Sequence, residues 1–447
     1  MENKSTIKDI INNQLCVGCG ICVSEDKTNS LQMEWNEDGF LIPKHSENVV
    51  AEEVIRVCPF NPNPEEAVKD EDRLADLFLT TASQRHKKMG RYINTYVGYA
   101  NEFRDTSSSG GLATYVFEYL LKQKIVDHLY IVKEINGAYE FQLFSTVDQI
   151  KQISKTRYIP VTLEKLFVDI HKIEGKIAVS GVACFIKAIR LKQHYHPELK
   201  AKIPFLVGII CGGLKSRFYT EYLAQKAGIT SAYYKQDYRI KDYKSQASDY
   251  SFGAFDEDQE FKQVKMRAIG DMWGTGMFKS NACDFCDDVT TELADISVGD
   301  AWLNPYNNDG KGNSVIVTRS VVANDLILQG IDNGELHVEE LSTEHFLISQ
   351  QGSFNHRHNG LAFRIKHALA NKQLVPPKRF YNEKSTFDFR IVQRIRMLIR
   401  QKSIHVWRKT KVANSFDEKM KASLYLLKTA TRFYHHKKRL MNKINSK

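Results

Sequence analysis

The sequence lacks an apolar segment long enough to cross a membrane. Its longest apolar stretch, Ile203 to Leu214, has about 12 residues, whereas a membrane-spanning helix needs about 20. The first residues, MENKSTIKDI, contain no apolar stretch typical of a secretion signal. We therefore expect a cytoplasmic protein.

Motifs of hydrolases and nucleotidases are also missing. The chain contains no GxxxxGK[ST] phosphate loop, no HExxH zinc motif and no recognisable nucleophile triad. Neither class of enzyme is therefore supported. Of the 447 residues 42% are hydrophobic, which is enough for a large core divided over two or three domains.

Excess positive charge is confined to one end of the chain. From Lys378 onward there are 20 lysines and arginines against 4 acidic residues, whereas residues 1–377 carry a net charge of −6. A basic protein suggests nucleic-acid binding only when the charge is spread over the folded body, so we expect no nucleic-acid partner. The segment 378–447 combines its charge with apolar residues at helical spacing, which predicts a basic helical tail. It could be a solvated appendage, or it could dock on an anionic membrane or an acidic ferredoxin.

The eight cysteines are the most informative feature of the chain. Four thiolates ligate one 4Fe-4S cluster, so the chain has ligands for two clusters and no cysteine left over. Disulfide bonds are disfavoured because the cytoplasm keeps thiols reduced. The first set is Cys16, Cys19 and Cys22, in a C-x2-C-x2-C run, with Cys58 before Pro59, and the second set is Cys184, Cys211, Cys283 and Cys286.

Both sets have other interpretations. Zinc binds cysteine too, but zinc modules usually present two separated pairs rather than a compact triplet and a distant Cys-Pro. The C-x2-C pair that ends at Cys286 also occurs in zinc ribbons and redox dithiols. Cys184 and Cys211 taken singly could be buried core cysteines. Each of these two, however, follows a predicted strand and lies close to a glycine, which favours a second cluster.

Strands and helices alternate in the central region. This alternation predicts an α/β core with a mixed, largely parallel sheet, in which ligands gather beyond the carboxyl ends of the strands. Residues 230–280 are tyrosine-rich and irregular. The predicted strands lie at 92–100, 128–135, 176–181, 205–210, 294–303 and 313–320, and the predicted helices at 112–123, 161–172 and 185–195.

The chain divides into several predicted segments. The first is a ferredoxin-like 4Fe-4S module with a hairpin around Gly39, and a charged, helical linker follows it. The predicted boundaries are 1–75 for this module, 76–91 for the linker, 92–172 and 173–340 for two parts of the core, 341–377 for a connecting segment and 378–447 for the tail.

A second kind of site is predicted from hydroxyls, glycines and cations beside aromatic residues. The run TSSSGG opens a helix, where hydroxyls and glycine amides can bind a phosphate, although an ordinary helix cap is the alternative. Arginine and lysine beside tyrosine could clamp a pyrophosphate and a flavin ring or could be solvated surface. Asp300 ends a strand near Trp302, which suits cofactor contact, with helix capping as the alternative. The candidate cofactor-binding residues are Ser107, Ser108, Ser109, Gly110, Gly111, Arg157, Tyr158, Arg239, Lys241 and Asp300.

With these segments, the chain resembles the coenzyme F420 hydrogenase/dehydrogenase beta-subunit family, which also includes chlorophyll-pathway reductases. The resemblance implies FAD beside 4Fe-4S clusters, with a flavin-binding part at 92–172 and a cluster and flavin part at 173–340. The flavin would lie among the SSGG turn, the Arg-Tyr pair and the central cysteine turns. The matching segments are CVGCGIC with the later CPF, SSSGGLAT, the RY of SKTRYIPV, CFIKAIR, IICGGLKS, YRIK and CDFCDDVTTELADISVGDAW followed by GNSVIVT.

The chain departs from the family pattern in two places. The first cysteine run lacks the usual fourth cysteine three residues on, so its cluster would need Cys58. Around Cys184 the chain reads SGVAC where the family commonly has a Gly-Thr-Pro-Cys turn, which bears on this ligand and on the substrate pocket. The basic tail lies outside the resemblance.

We therefore predict an FAD-dependent iron-sulfur oxidoreductase, with catalytic residues unassigned. It would pass electrons between two 4Fe-4S clusters and the flavin and exchange hydride with an F420-like deazaflavin or another organic substrate. Because family members occur among bacterial surface-polysaccharide genes, the substrate could belong to such a pathway. Expected partners are ferredoxin or another electron-carrier protein and a small molecule, with peripheral membrane contact through the tail. The alternatives are a non-catalytic electron-relay subunit on a larger redox complex and a zinc-containing nucleic-acid binder.

Overall fold

The computed structural model describes residues 5–45, 52–135, 138–150 and 155–445. Residues 1–4 of the predicted N-terminal module and residues 446–447 of the predicted tail therefore lie outside the described residues. Its strands, numbered in chain order, are β1 (Leu31–Trp35), β2 (Leu41–His45), β3 (Gln84–His86), β4 (Gly90–Tyr92), β5 (Asn94–Ala100), β6 (His128–Ile135), β7 (Ala138–Phe144), β8 (Ile177–Val182), β9 (Phe205–Ile209), β10 (Tyr234–Ile240), β11 (Ser251–Phe255), β12 (Phe261–Lys265), β13 (Ile296–Asp300), β14 (Ser314–Thr318) and β15 (Leu336–Glu340).

Helices connect these strands and form the C-terminal region. Within the described residues, none of them is both long and apolar enough to pass through a bilayer. The helices are α1 (Ile7–Asn12), α2 (Glu71–Phe78), α3 (Leu112–Lys122), α4 (Val147–Ile150), α5 (Glu164–Asp169), α6 (Ala183–Tyr195), α7 (Leu199–Lys202), α8 (Phe218–Lys226), α9 (Met266–Ile269), α10 (Val321–Asp332), α11 (Thr343–Ser349), α12 (Gln351–Phe354), α13 (Leu361–Ala370), α14 (Phe387–Thr410) and α15 (Ala413–Asn445).

An eight-stranded sheet lies at the centre of the described structure. Its strand order is β15-β5-β14-β13-β9-β8-β6-β7. The strands β6, β8, β9 and β13 pair in parallel, and the four remaining pairings are antiparallel. The prediction of a mixed α/β sheet is confirmed, but the prediction that it is largely parallel is wrong. The strands β6 and β7 illustrate the reason, because too few residues separate them for a crossover helix.

Helices cover both faces of this sheet. On β8, Ile177 and Val179 belong to the same buried core as Ile186 of α6, whereas the intervening Ala178 packs in a second core with Leu120 of α3. This alternation follows from the two-residue period of a strand. The continuous apolar runs seen in the sequence are thus strands buried on both faces.

Two local predictions need correction. Within 76–91 the linker is helical only in α2, and the short hairpin β3–β4 follows it; the β-branched Thr80 and Thr81, in the turn after the helix, disfavour its continuation. Residues 230–280 are not irregular, since β10, β11 and β12 form a three-stranded antiparallel sheet. The pairing register of β10 shifts between Tyr234 and Ile240, and this shift obscures the alternation in the sequence. The predicted hairpin around Gly39 is present as β1–β2.

The basic segment forms a pair of helices, α14 and α15, and α14 is part of the core. Val392, Ile399 and Trp407 are buried, and the Trp407 indole donates a hydrogen bond to Glu221 at 2.8 Å. The interpretation of this whole segment as a solvated appendage is therefore wrong for α14. Its apolar residues at helical spacing form one buried stripe.

Candidate metal centre and cofactor site

The first cysteine set comes from two turns. Cys16 and Cys19 lie in the loop after α1, Cys22 lies in the 3-10 turn Ile21–Glu25, and Cys58 follows the 3-10 turn Glu52–Val57. Gly20 in this loop has a φ of 77°, and a Cβ there would lie 2.0 Å from the hydroxyl of Thr162. The close approach and the left-handed backbone explain the glycine between the cysteines.

Electrostatic interactions between neighbouring thiols raise pKa values within this set. Burial raises the pKa of Cys22, and the neighbouring Cys19, Cys16 and Cys58 raise it further. Burial likewise raises the pKa of Cys58, with contributions from Cys19 and Cys16. The amide of Gly18 donates a hydrogen bond to Cys16 Sγ at 3.4 Å. The structure thus brings the distant Cys58 to the compact triplet.

The second set gathers at the ends of strands and turns. Cys184 lies in the first turn of α6, Cys211 follows β9, and Cys283 and Cys286 belong to the 3-10 turn Asn281–Phe285 and its end. Burial raises the pKa of Cys184, and Cys286, Cys283 and Cys211 add to the effect. Cys184 therefore lies with the other three in spite of the altered sequence around it.

Backbone amides point at two sulfurs of the second set. Gly213 donates a hydrogen bond to Cys211 Sγ, and Leu214 donates one to Cys283 Sγ, both at 3.2 Å. Amide donors at sulfur stabilise negative charge and tune the potential of thiolate-held clusters. Cys19 of the first set also raises the pKa of Cys184, so the two sets are close enough to influence each other.

Arg357 is a residue of this site that the sequence analysis missed. Its guanidinium donates hydrogen bonds to the carbonyl oxygens of Cys211 and Asp288. Burial acts to lower the pKa of Arg357, but the thiols of Cys286 and Cys211 raise it well above its usual range. The surrounding sequence, SFNHRHNG, contains no motif that would have marked it.

Buried ion pairs connect the CDFCDD loop to the basic segment. Lys378 lies 3.1 Å from Asp287, and Arg400 of α14 lies 2.9 Å from Asp284. Arg379 makes a two-pronged contact with Glu292, at 2.7 and 2.8 Å. These pairs give part of the predicted tail a specific place against the second cysteine set.

The SSSGG turn packs against β14. Ser109 Oγ donates a hydrogen bond to the carbonyl of Asn313 at 3.0 Å, and the amide of Gly110 donates one to Ser314 Oγ at 3.2 Å. Gly111 is the residue before α3, with a φ of 80°, and no side chain of the described structure caps this helix. The capping interpretation of the hydroxyls is therefore wrong.

Other candidate residues join this turn. Lys241 Nζ donates hydrogen bonds to the carbonyls of Ser109, at 2.8 Å, and Arg104. The hydroxyl of Ser108 accepts a hydrogen bond from the Thr156 amide at 2.9 Å, beside the Arg157-Tyr158 pair. Ser107 is buried, with its hydroxyl 3.5 Å from that of Thr114.

Arg239 and Asp300 form an ion pair at 2.5 Å, with the Arg239 side chain 6% exposed. The guanidinium also lies over the rings of Tyr250, at 4.6 Å, and Trp302, at 5.5 Å. Arg239 is therefore not solvated surface. Asp300 pairs with this arginine instead of capping a helix, so that alternative is wrong as well.

An aromatic group connects this region to the second cysteine set. The Tyr158 ring centroid lies 4.7 Å from that of Trp273 and 5.4 Å from that of Tyr238. Trp273 in turn lies against the turn after Cys211, since a Cβ at Gly212 would be 3.1 Å from its ring. Of the candidate residues, Tyr158 is thus the one that Trp273 connects to the turn of Cys211.

Lys215 is a second residue that the sequence analysis missed. Its amine lies 4.7 Å from the Trp273 ring centroid and donates hydrogen bonds to the carbonyls of Met272 and Met277 at 2.7 and 2.6 Å. Burial, followed by the nearby Lys279, lowers the pKa of Lys215 to about 7. A lysine with a pKa near 7 is present in both its charged and its neutral form at neutral pH, and such lysines are often found at functional sites.

The arginines and thiols of this region can be compared with what FAD and 4Fe-4S clusters require. The Nε atoms of Arg157 and Arg239 are buried and have no hydrogen-bond partner among the described residues, so cationic donors are available beside aromatic rings. Each thiol set offers four sulfurs. Within the described ranges, no group of three or more His, Cys, Asp or Glu side chains has the geometry of a single-ion site. A 4Fe-4S cluster distributes its thiolates over four irons and has different requirements.

A mixed α/β fold with thiol sets beside a cation-lined aromatic region is typical of electron-transferring oxidoreductases. The chain belongs to the coenzyme F420 hydrogenase/dehydrogenase beta-subunit family. Residues 95–167 match the family's N-terminal part and residues 174–344 match its C-terminal part, together more than half of the chain. The family resemblance predicted from the sequence is confirmed.

Two curated relatives come from Methanosarcina species. The chain is 22% identical to a subunit of the F(420)H(2) dehydrogenase of Methanosarcina mazei over 48% of its own length and 59% of that protein. It is 22% identical to the beta subunit of the coenzyme F420 hydrogenase of Methanosarcina barkeri over 51% of its length and 78% of that protein. The match to the first of these thus spans less than two thirds of that relative.

One solved structure is also similar. It is a chain in a structure of the F420-reducing [NiFe] hydrogenase complex from Methanosarcina barkeri, with a TM-score of 0.49 and 18% identity. The match covers 66% of this chain and 99% of that one.

Proposed function

We propose that the chain is an FAD-dependent iron-sulfur oxidoreductase. It moves electrons between two 4Fe-4S clusters and FAD and exchanges hydride with an F420-like deazaflavin or another organic substrate. The observation that carries the proposal is the grouping of eight thiols into two neighbouring sets, of which the second adjoins Trp273 and Tyr158.

The two thiol sets would hold the two clusters. The electrostatic effect of Cys19 on the pKa of Cys184 indicates that the two sets are near each other, which supports electron transfer between them. Amides that donate to Cys16, Cys211 and Cys283 would stabilise charge on the sulfurs and raise the reduction potential. The second set would be the one beside the flavin.

Bound FAD would supply both one-electron and two-electron chemistry. The chain's own residues would bind and orient it. The SSSGG turn, held by Lys241, would shape the site, and Arg157 and Arg239, whose Nε donors have no partner among the described residues, would bind a phosphate. Tyr158 and Trp273 would provide an aromatic wall that excludes water. Lys215, with its pKa lowered to about 7 by burial, can hold or release a proton at Nζ near neutral pH.

A cavity of about 450 Å³ lies beside the SSSGG turn, and we propose that it receives the organic substrate. Among its lining residues, Asp309 is paired with Arg104, and Asn313 accepts the hydrogen bond from Ser109. A concave space beside a cofactor region can receive an organic substrate. Our proposal for the organic substrate includes compounds of surface-polysaccharide synthesis.

Both curated relatives are named as subunits, so we propose that a redox protein partner supplies or accepts electrons. Ferredoxin or another electron carrier is the candidate. Contact with a membrane surface through the basic segment is a separate element of the proposal, supported by the exposed residues of α14 and α15.

Anaerobic reconstitution with iron, sulfide and FAD tests the central proposal. We expect about eight irons and one flavin per chain. Cys58→Ser should remove about four irons and spare flavin binding, whereas Cys286→Ser should remove the other four and alter the flavin spectrum. Ser231→Ala, at an exposed position between α8 and β10, is the control. A chain that takes up neither flavin nor iron, or cysteine variants that keep full iron content, would contradict the proposal.

A further inference from the structure

The C-terminal helices α14 and α15 pack side by side in opposite directions. Lys402 donates a hydrogen bond to Ser423 at 2.9 Å, and the rings of Phe389 and Tyr434 lie 5.2 Å apart. The line of contact between the two helices therefore runs from one of these pairs to the other. On the inner side of this line, Trp407 packs against Phe416 within the core.

An apolar stripe follows the contact line on α15. Leu426, Phe433 and Leu440 are 57%, 63% and 49% exposed. They are spaced by seven residues, so they lie on one face. Leu426 comes three residues after Ser423, which contacts α14, and this offset places the stripe directly beside the contact line on the side away from the core.

A second apolar stripe lies on α14. Phe387, Ile391 and Leu398 are 71%, 39% and 57% exposed, and their spacing also puts them on one face. That face borders the contact line, because Ile391 lies one turn from Asp388, which pairs with Lys437 of α15. We call the six residues of the two stripes the outer face of the helix pair.

Positive charge borders the outer face. Between residues 387 and 445 there are 16 lysines and arginines against 3 acidic residues. Exposed cations flank the stripes at several turns of both helices, and these are Arg390, Arg394, Lys421, Lys428, Arg432 and Arg439. Within the described residues of the pair, the apolar surface and the basic surface are thus adjacent over several helical turns.

We propose that the outer face of the helix pair docks on an anionic lipid bilayer. Exposed apolar stripes with aromatic residues, flanked by Lys and Arg, are the pattern of helices that lie in the plane of a membrane interface. Anionic headgroups complement the flanking cations. The stripe on α15 spans 14 residues, about 21 Å at the helical rise, and it offers an elongated contact suited to a fluid surface. This contact is independent of the redox chemistry proposed above.

Vesicle sedimentation of the full-length, cofactor-loaded chain tests the proposal. The chain should pellet with vesicles of phosphatidylcholine and phosphatidylglycerol at a 7:3 ratio and stay in the supernatant with phosphatidylcholine alone. The variant Leu426→Ser, Phe433→Ser, Leu440→Ser and the variant Lys428→Gln, Arg432→Gln, Arg439→Gln should each lower the bound fraction at least tenfold. Iron and flavin content, measured in parallel, should match the unmodified chain.

Matched control variants remove the same kinds of side chain from exposed positions outside the helix pair. Val321→Ser with Val322→Ser and Leu328→Ser removes exposed apolar residues of α10, and Lys124→Gln with Lys172→Gln and Lys244→Gln removes exposed cations; both controls should bind as the unmodified chain does. Absence of binding to anionic vesicles would overturn the proposal. A dimer seen by analytical ultracentrifugation without lipid would also overturn the proposal if the variant Leu426→Ser, Phe433→Ser, Leu440→Ser were monomeric. The outer face would then bind a second copy of the chain. Loss of binding in the control variants alone would overturn it too.

Discussion

Arg357 holds the backbone of Cys211 through a hydrogen bond from its guanidinium to the Cys211 carbonyl. A second hydrogen bond from the same group reaches the Asp288 carbonyl, just beyond the Cys283/Cys286 pair. One side chain therefore connects the two turns that carry three cysteines of the second set. It lies outside residues 174–344, the part that matches the family's C-terminal region.

Replacing Arg357 should weaken the second site selectively. Arg357→Gln leaves two buried carbonyls with poorer partners, which costs about 1–3 kcal/mol of unfolding free energy and loosens the second thiol set. We expect about four irons fewer per chain after reconstitution, with Arg357→Lys intermediate. Iron analysis and urea unfolding measure both effects. Exposed Arg267→Gln is the control, and full iron content in Arg357→Gln would contradict this role.

Arg379 should matter far more to stability than Arg85, although both lie near Asp72. Arg379 is buried against Glu292, so Arg379→Met leaves a buried carboxylate without its partner and should cost about 3–5 kcal/mol. Arg85 is about half exposed, and Arg85→Met should cost about 0–1 kcal/mol. Urea unfolding of the cofactor-free chain measures the difference. Equal effects of the two substitutions would argue against the buried ion pair.

Lys241 should affect flavin binding through the SSSGG turn. Lys241→Met removes the hydrogen bonds to the carbonyls of Ser109 and Arg104, which together are worth about 1.5 kcal/mol. The dissociation constant of FAD should therefore rise about tenfold, as measured by fluorescence titration of the apoprotein. Lys244→Met, three residues away on the exposed side, should leave it unchanged. An unaltered FAD constant in Lys241→Met would separate this turn from flavin binding.

Asp26 should make the N-terminal region sensitive to acid. Burial acts to raise the pKa of this carboxyl, but hydrogen bonds from Thr28, Ser30 and Leu31 outweigh it and lower the pKa to about 2. Since the folded pKa lies below the unfolded value of about 3.9, the stabilisation is present above pH 4 and is lost as the pH falls from 4 to 2.

The variant Asp26→Asn tests this pH dependence. At pH 7 it should lower the unfolding free energy by about 2 kcal/mol, and the difference from the unmodified chain should shrink between pH 4 and pH 2. Urea unfolding of the cofactor-free chain at several pH values follows it. Asp258→Asn, at an exposed loop position, is the control. A difference that stays constant over this range would show that the carboxylate charge is not responsible.

The sequence predicted the parts of the fold that depend on local pattern. The strands β8 and β9 and the helix α6 were found because apolar periodicity is a local property. The antiparallel pairings at the sheet edges were missed, since pairing depends on contacts between distant residues. The helix pair was recognised as helical, but the ion pair of Arg400 in α14 with Asp284 involves partners far apart in the chain.

The site was only partly predictable for the same reason. Cysteines are rare and their spacing is distinctive, so two sets of four could be proposed from the sequence. Lys215 lies in the IICGGLKS segment, but nothing in the sequence marked it as functional, and Arg357 and Trp273 belong to no motif; only the folded chain brings these residues beside the thiols and Tyr158. The roles of these residues in binding clusters and flavin stay predictions.

The ion pair between Asp284 and Arg400 spans 116 residues of chain, which has a consequence for biosynthesis. A ribosome that has just released Cys286 has yet to synthesise Arg357, Arg379 and Arg400. During that interval Asp284 has its neighbour Lys279 but lacks Arg400, and Asp287 lacks Lys378 and Arg379, whereas all four cysteines of the first set have already emerged. The buried ion pairs beside the second thiol set can therefore form only after the basic helix has left the ribosome, whereas all four thiols of the first set are available earlier.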